Sequence, residues 1–390
     1  MIRDDTMVRQ WNKDIFLLIE ELEANMYGYM KNYAIPGLVI GMIEDGNNIW
    51  VGNYGFSDIS NRLTVQKDTC FQVGSISKTV TALGVMKLAE NGNIDIDMPV
   101  NNYLKTWNLE KFNYGNGITI KHLLTHTSGL PMKGYLGYAN LNNMPSMTDS
   151  LDKTLRKKKS LNLKPGVAAN YTGIGYTVLQ LLIEDVTGMP FETYMDTYIF
   201  KPLDMKNTTY DAIVAKNMNL SCAYGLFNNK IRTRFFIEKA AAGLYSTIND
   251  MMKFLKLNCF CNYNIRNDTQ FLKLETLNLM HTKYCKSMSF GLGYNIDTLS
   301  NNRKLSMHRG INNGWTSHLA IFPKNGNGLV IMTNSNNGIN IINKILKIWL
   351  EHYNGKLSDF YLEKLGLKEF TKSELMVKKI MFLINRQITL

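Results

Sequence analysis

The sequence predicts an α/β protein of the α+β kind, in which strands from both ends of the chain complete one sheet and a helical lobe is inserted between them. Three observations predict it. Strand-like apolar runs occur early, at 37–43 and 48–52, and again late, at 290–296, 305–308, 318–323 and 329–334. Between about 80 and 260, apolar residues recur instead at helical spacing. No internal repeat, low-complexity linker or shift in composition divides the chain into independent units. With 390 residues, 45% of them hydrophobic, it can bury a sizeable core.

The elements follow in order. Ile15, Leu18, Ile19, Leu22, Met26 and Met30 recur at helical spacing among charged residues, which predicts an amphipathic helix rather than a signal peptide. The runs at 37–43 and 48–52 form a hairpin turning at Glu44-Asp45-Gly46. After Ser75, the residues Val80, Ala82, Leu83, Val85, Met86, Leu88 and Ala89 make a helix apolar on most sides, stopped by Asn91-Gly92. Helical patterns follow at 120–124, 176–186, 191–200 and 250–257, each bounded by Gly, Pro or Asn. A helix over 339–353 follows the late strands. The stretch 376–388 is basic and amphipathic, and is expected to pack as a terminal helix in preference to touching a membrane.

Charge and cysteine usage narrow the function classes. The net charge of +12 comes from 44 basic against 32 acidic residues spread along the chain. The one dense cluster, at 156–159, falls in a polar connecting stretch, so a solvated surface is expected and a nucleic-acid partner is not. No run approaches the ~18 apolar residues of a membrane span. Five cysteines, at 70, 222, 259, 261 and 285, form neither a ligand pattern nor a paired framework. They are expected as free thiols in a reducing compartment, so the chain as given is expected in the cytoplasm. A chain trimmed of a leader would look the same, and would then be periplasmic or extracellular.

The chemistry concentrates at Ser75-Ile76-Ser77-Lys78. Two side chains three apart on a helix share one face, one turn apart. A serine hydroxyl needs a base to become a nucleophile, and a lysine serves when its surroundings hold it neutral. Such a pair needs a second proton-handling group and two donors for a developing oxyanion. Tyr171, in a turn-rich segment entering the helix that contains Tyr176, is a candidate relay if a nearby cation favours its phenolate. At His308-Arg309-Gly310 a glycine lets a ligand approach the main chain closely. Two other patterns carry less. His122 and His126 have the spacing of a helical zinc site but lack its glutamate, and Gly173-Ile174-Gly175 lacks the third glycine of a dinucleotide loop. No metal and no organic cofactor is expected.

Six segments taken together resemble the serine beta-lactamase-like family, in the branch that holds class C beta-lactamases, D-alanyl-D-alanine carboxypeptidases, D-aminopeptidases and related esterases. They are Ser75-Ile76-Ser77-Lys78; Leu123-Leu124-Thr125-His126-Thr127-Ser128-Gly129-Leu130; Tyr171 with Gly175-Tyr176; Lys201-Pro202-Leu203-Asp204-Met205; Ala241-Ala242-Gly243-Leu244-Tyr245-Ser246-Thr247; and His308-Arg309-Gly310. Their order and approximate spacing over about 30–350 are those of the family. The resemblance implies an antiparallel sheet flanked by helices in one two-lobed domain over 1–354. Its sheet lobe would take about 1–75 and 285–354, its helical lobe about 76–284, with 355–390 as an extension. It also implies a hydrolase that forms an acyl-enzyme on Ser75, with Lys78 as base or proton shuttle and Tyr171 as relay. His308 and Gly310 would line the pocket, and the main-chain N–H groups of Ser75 and Ile311 would form the oxyanion hole. The implied substrate is a small peptide, a D-amino-acid derivative or an ester; an acyltransferase or a non-turnover binding protein would use the same acyl-enzyme. Three positions depart from the pattern or vary within it. Gly173 stands where the family carries asparagine, which argues against strict beta-lactamase activity. Arg309 is placed to pair with a substrate carboxylate or to face solvent, and Lys133 to hold an anionic group of the substrate.

Overall fold

The structure, a computed structural model, describes residues 5–112, 117–131, 134–156, 163–261, 271–284 and 289–364. The N-terminal periodicity becomes α1 (Asp5–Tyr33), with Ile15, Leu18, Ile19, Leu22, Met26 and Met30 all buried. Asp45 and Gly46, both with positive φ, reverse the chain between β1 (Gly37–Glu44) and β2 (Asn47–Asp58). β2 outruns the expected 48–52 because it pairs with the whole of β1, Gly37 lying opposite Gly55, and then continues to meet β3 (Leu63–Thr64). Short β4 (Phe71–Gln72) leads into α2 (Ile76–Glu90), which ends at Asn91 as its sequence requires.

The middle of the chain supplies α3 (Ile120–Leu124), α4 (Met147–Leu155), α5 (Gly173–Thr187), α6 (Phe191–Met195) with a π turn over Asp196–Phe200, and α7 (Ala212–Lys216). The strands β5 (Ala223–Tyr224) and β6 (Lys230–Ile231), the one-turn α8 (Lys239–Ala242), β7 (Tyr245–Ser246), α9 (Ile248–Leu257) and α10 (Leu274–Met280) follow. The last third returns to strands with β8 (Asn295–Thr298), β9 (Lys304–Asn312), β10 (Trp315–Phe322) and β11 (Asn327–Thr333), and closes with α11 (Gly338–His352) and α12 (Asp359–Lys364).

Seven strands form one antiparallel sheet in the order β3-β2-β1-β11-β10-β9-β8. The last strand of the chain sits beside the first, Leu38 opposite Thr333, so the sheet is completed late by the C-terminal part as the sequence predicts. Both faces are covered. Trp315, Leu319 and Ile321 of β10 join the layer containing α2 and α9, while Ala320 and Phe322 join α1 and α11. Burying a side chain such as Leu22 completely in the second layer contributes about 1.5–3 kcal/mol.

Two expectations change. Residues 248–257, assigned to the helical lobe, form α9 and pack on the sheet, with Met252 over Gly41, where any Cβ would overlap the methionine sulfur. The run 290–296 is mostly a turn, because Gly293 takes positive φ (88°) to fit against Ala82 of α2, and β8 begins only at Asn295. Cys285, Lys133, residues 157–159 of the basic cluster and the stretch 376–388 lie outside the described residues. Among the described residues, Cys70, Cys222, Cys259 and Cys261 are in no disulfide.

Candidate active site

Ser75 occupies the turn between β4 and α2, at the N-cap of α2, with its side chain making no capping bond. Its Oγ lies 3.0 Å from Lys78 Nζ, one helical turn on. The Lys78 amine, 2% exposed, also donates to the carbonyl oxygen of Ala241 at 2.6 Å. Burial brings its pKa down from the ordinary 10.5 to about 7, because the charged form loses its water. Burial therefore favours a free amine beside the hydroxyl.

The loop entering α5 brings Tyr171 to the same hydroxyl, and its side chain is hydrogen-bonded to Ser75. Burial pushes the phenol up to about 12 against the pull of that bond, so Tyr171 is a phenol at working pH. Desolvation favours the phenol over the phenolate that the sequence reading made conditional on a nearby cation, although Lys78 Nζ lies 5.2 Å from the ring centroid. The segment Thr125–Leu130 explains why Tyr171 is held. Asn170 donates its main-chain N–H to the His126 carbonyl (2.7 Å) and its side-chain amide to the Leu130 carbonyl (3.0 Å). Thr172 donates its N–H to His126 Nδ1 (3.3 Å) and its hydroxyl to the Pro131 carbonyl (2.7 Å). The His126 ring lies 4.3 Å from that of Tyr171, and Phe290 stacks beyond it at 6.2 Å.

The opposite wall is β9. His308 faces α2, with its ring centroid 6.1 Å from that of Tyr171, and its Nδ1–H donates to the Arg309 carbonyl at 2.9 Å. Gly310 lies against the β4–α2 turn so closely that a Cβ would overlap the Val73 carbonyl oxygen, which also accepts from Ser317 Oγ at 2.7 Å. Gly74, with φ of 53°, approaches the other side of the same strand, and a Cβ there would sit 2.6 Å from the Ile311 nitrogen. The β9–β10 hairpin pairs Asn312 with Trp315 across a two-residue turn, which makes Ile311 and Thr316 a non-hydrogen-bonded pair. The Ile311 N–H therefore points away from β10, past the end of β8, and its nitrogen lies close to Gly74 of the β4–α2 turn. An α-helix N-terminus favours negative charge there.

The structure thus brings Ser75, Lys78, Tyr171, His308, Gly310 and Ile311 together. Arg309 is corrected. Alternation along β9 turns it to the far face, where its half-buried guanidinium donates to Asn343 of α11 at 2.5 Å, so it does not reach a substrate in the cleft. Gly173 is the buried first residue of α5, one position beyond the Thr172 cap. His122 Nδ1 accepts from the Thr119 N–H in a capping box of α3, so the two histidines of the zinc-like spacing serve different local structures. Sequence reasoning missed Gly74, Ser317 and Asn312. The Asn312 amide donates to Gln72 (2.8 Å) and to the Ala242 carbonyl (3.0 Å), fixing the end of β9 beside α8. The signal for Gly74 was its place directly before Ser75.

A family model described as Beta-lactamase matches residues 22–343. This chain belongs to the beta-lactamase family. Among similar curated proteins, Protein flp of Staphylococcus aureus (strain MW2) is 24% identical over 306 residues, covering 77% of this chain and 60% of that protein. The putative penicillin-binding protein PbpX of Bacillus subtilis (strain 168) is 28% identical over 230 residues, 58% of this chain and 55% of that one. The chain therefore spans less than two thirds of the length of these curated relatives. Among solved structures, the octameric penicillin-binding protein homologue from Pyrococcus abyssi superimposes with a TM-score of 0.69 at 27% identity, over 82% of this chain and 74% of that one. D-alanine carboxypeptidase AmpC from Burkholderia cenocepacia does so with a TM-score of 0.70 at 20% identity, over 85% and 97%, a likeness of fold. The beta-lactamase-like fold expected from the six segments is the fold observed.

Proposed function

We propose that the protein is a serine hydrolase that cleaves an amide or ester of a small peptide, a D-amino-acid derivative or a simple ester through an acyl-enzyme on Ser75. The observation that carries this reading is the 3.0 Å contact between Ser75 Oγ and an amine whose burial holds it near neutrality. Lys78 takes the hydroxyl proton as Oγ attacks the carbonyl carbon. The oxygen that becomes negative is met by the N–H groups of Ser75 and Ile311, and donors of this kind are worth roughly 3 kcal/mol each in the transition state. As the carbon–leaving-group bond breaks, the proton on Lys78 passes through the Tyr171 phenol to the departing nitrogen or oxygen. Water then attacks the acyl-enzyme, gives its proton to the amine, and Ser75 leaves with that proton.

The names of the relatives, penicillin-binding protein and D-alanine carboxypeptidase, support a peptide-like substrate. Gly173 offers no side-chain amide to a substrate carbonyl, which favours a second reading in which acylation is not followed by turnover. Hydrolysis of nitrocefin, D-Ala-D-Ala peptides, D-amino-acid amides and short-chain esters, read side by side, tests both. Ester or amide turnover with little nitrocefin hydrolysis is expected; stoichiometric acylation without turnover would select the second reading, and no acylation by any of them would refute both.

A further inference from the structure

At the tip of the β5–β6 hairpin, Phe227 is 91% exposed and its neighbour Leu226 58%. A turn of this kind is ordinarily built from polar residues and glycine, and two adjacent large apolar side chains held out into water contribute nothing to the fold. The tip is fixed chain. The Gly225 N–H donates to the Asn229 carbonyl at 2.9 Å, and the side-chain amide of Asn337, at the start of α11, donates to the Leu226 carbonyl at 2.8 Å. The base is pinned as well. Ala223 packs so close to Gly314 of the β9–β10 turn that a Cβ on the glycine would overlap it, and the Asn336 N–H donates to the Tyr224 carbonyl at 3.0 Å.

The surroundings of the tip carry one sign of charge. Between Asp211 and Glu238 the chain has Lys216, Lys230, Arg232 and Arg234 and no acidic residue. Lys216 of α7 lies 4.7 Å from the centroid of the Phe235 ring, beside the segment that leaves the hairpin. Lys230 pairs with Asp58 at 3.1 Å while half of its side chain stays in water. Arg232, exposed, and Arg234, half-buried, form no ion pair among the described residues. A rigid apolar tip with cations around it, on a chain of net charge +12, complements a surface that is anionic and takes an aromatic ring out of water. The boundary between headgroups and acyl chains of an anionic bilayer has both properties. A nucleic acid would use the cations and leave Leu226 in water.

We propose that the β5–β6 hairpin docks on an anionic lipid surface, with Phe227 and Leu226 entering the headgroup boundary and Lys230, Arg232 and Arg234 meeting lipid phosphates. Docking is peripheral and reversible, since a single turn buries only two side chains. It brings the β9–β10 turn, at the end of the strand that carries the Ile311 N–H, beside the bilayer. The proposal is independent of the acyl-enzyme reading.

Co-sedimentation of the full chain with vesicles of equal parts phosphatidylglycerol and phosphatidylcholine, and with vesicles of phosphatidylcholine alone, tests it. Binding to the mixed vesicles is expected to be at least tenfold stronger than to the neutral ones, weakened at least fivefold by Phe227→Ser and at least threefold by Arg232→Glu. Both positions are exposed, and circular dichroism checks that each variant keeps the fold. Phe227→Trp should keep binding. The difference between its emission and that of the wild-type protein reads position 227 alone, and should be quenched by lipids brominated in the acyl chains. Absence of binding to the mixed vesicles, equal binding to both kinds, binding unchanged by Phe227→Ser, or unquenched emission at position 227 would overturn the proposal. Self-association without lipid that is lost in Phe227→Ser, read by analytical ultracentrifugation, would also overturn it and assign the tip to a second copy of the chain.

Discussion

Burial of the Lys78 amine links stability to chemistry in one residue. Lowering a lysine pKa from 10.5 to about 7 costs the folded state on the order of 4–5 kcal/mol at neutral pH, offset by about 1–1.5 kcal/mol for each of its hydrogen bonds to Ser75 and Ala241. Lys78→Met, of similar length without the charge, is therefore expected to unfold at higher denaturant, by about 1–2 kcal/mol at pH 7, while acylation falls at least 10³-fold. The pH dependence has a definite sign. Between about 7 and 10.5 the unfolded chain holds the lysine proton more tightly than the folded one, so this group's contribution to stability rises with pH through that window and is lowest below it. Because only the free amine accepts the serine proton, kcat/KM for an ester should climb to a plateau above about pH 7. Tyr171, held up to about 12, should add no break in the ordinary range, and Lys78→Met should abolish the climb. The Ser-Lys pair and Tyr171 were legible as sequence, because they are side chains in recognisable order. The Ala241 carbonyl was not, since any residue type carries one. Arg309 could not be placed either, because its exclusion from the cleft depends on α11 covering the far side of β9, which no local pattern reveals.

Two backbone segments, the β4–α2 turn and β9, form the site by touching where no Cβ can fit. Gly310→Ala drives a methyl into the Val73 carbonyl, and Gly74→Ala combines a strained positive φ with an intrusion on the Ile311 nitrogen. Each substitution is expected to lower kcat/KM at least 100-fold in a stopped-flow acylation assay, more than Ser317→Ala, which removes one hydrogen bond of about 1 kcal/mol and should cost less than tenfold. The sequence reading found α1 and α11 by the regular spacing of one buried face, and α2, α5, β1, β10 and β11 by apolar runs buried on nearly all sides. It placed α9 in the wrong lobe, because an amphipathic helix announces its apolar face and not the surface it covers. It lengthened β8 toward residue 290, because Phe290 and Leu292 have strand-like alternation but lie in a turn set by Gly293.

The molecule as a whole separates chemistry from much of its stability across one sheet. Ser75, Lys78, Tyr171 and His308 lie in the layer with α2, while α1 and α11 cover the other face with a second cluster that includes Leu22, Met26 and Trp349. Leu22→Ala should lower unfolding free energy by about 2–5 kcal/mol in urea titration. It should change ester kcat/KM less than threefold at temperatures where the protein is folded. A large kinetic effect would mean that the far layer sets the position of β9. That the sheet would be closed by the end of the chain was legible in the order of strands and helices. The two-sided covering was not, because it depends on where α1 crosses back over β2.

In the proposed chemistry Ser75, activated by an uncharged Lys78, is the nucleophile. Intact-mass measurement after exposure to a fluorophosphonate probe tests it most directly. One adduct is expected on the wild-type protein, mapped to the peptide containing Ser75, with almost none on Ser75→Ala and a rate lowered at least 10³-fold on Lys78→Met. An adduct of equal yield on Ser75→Ala, or a wild-type protein left unmodified, would contradict it.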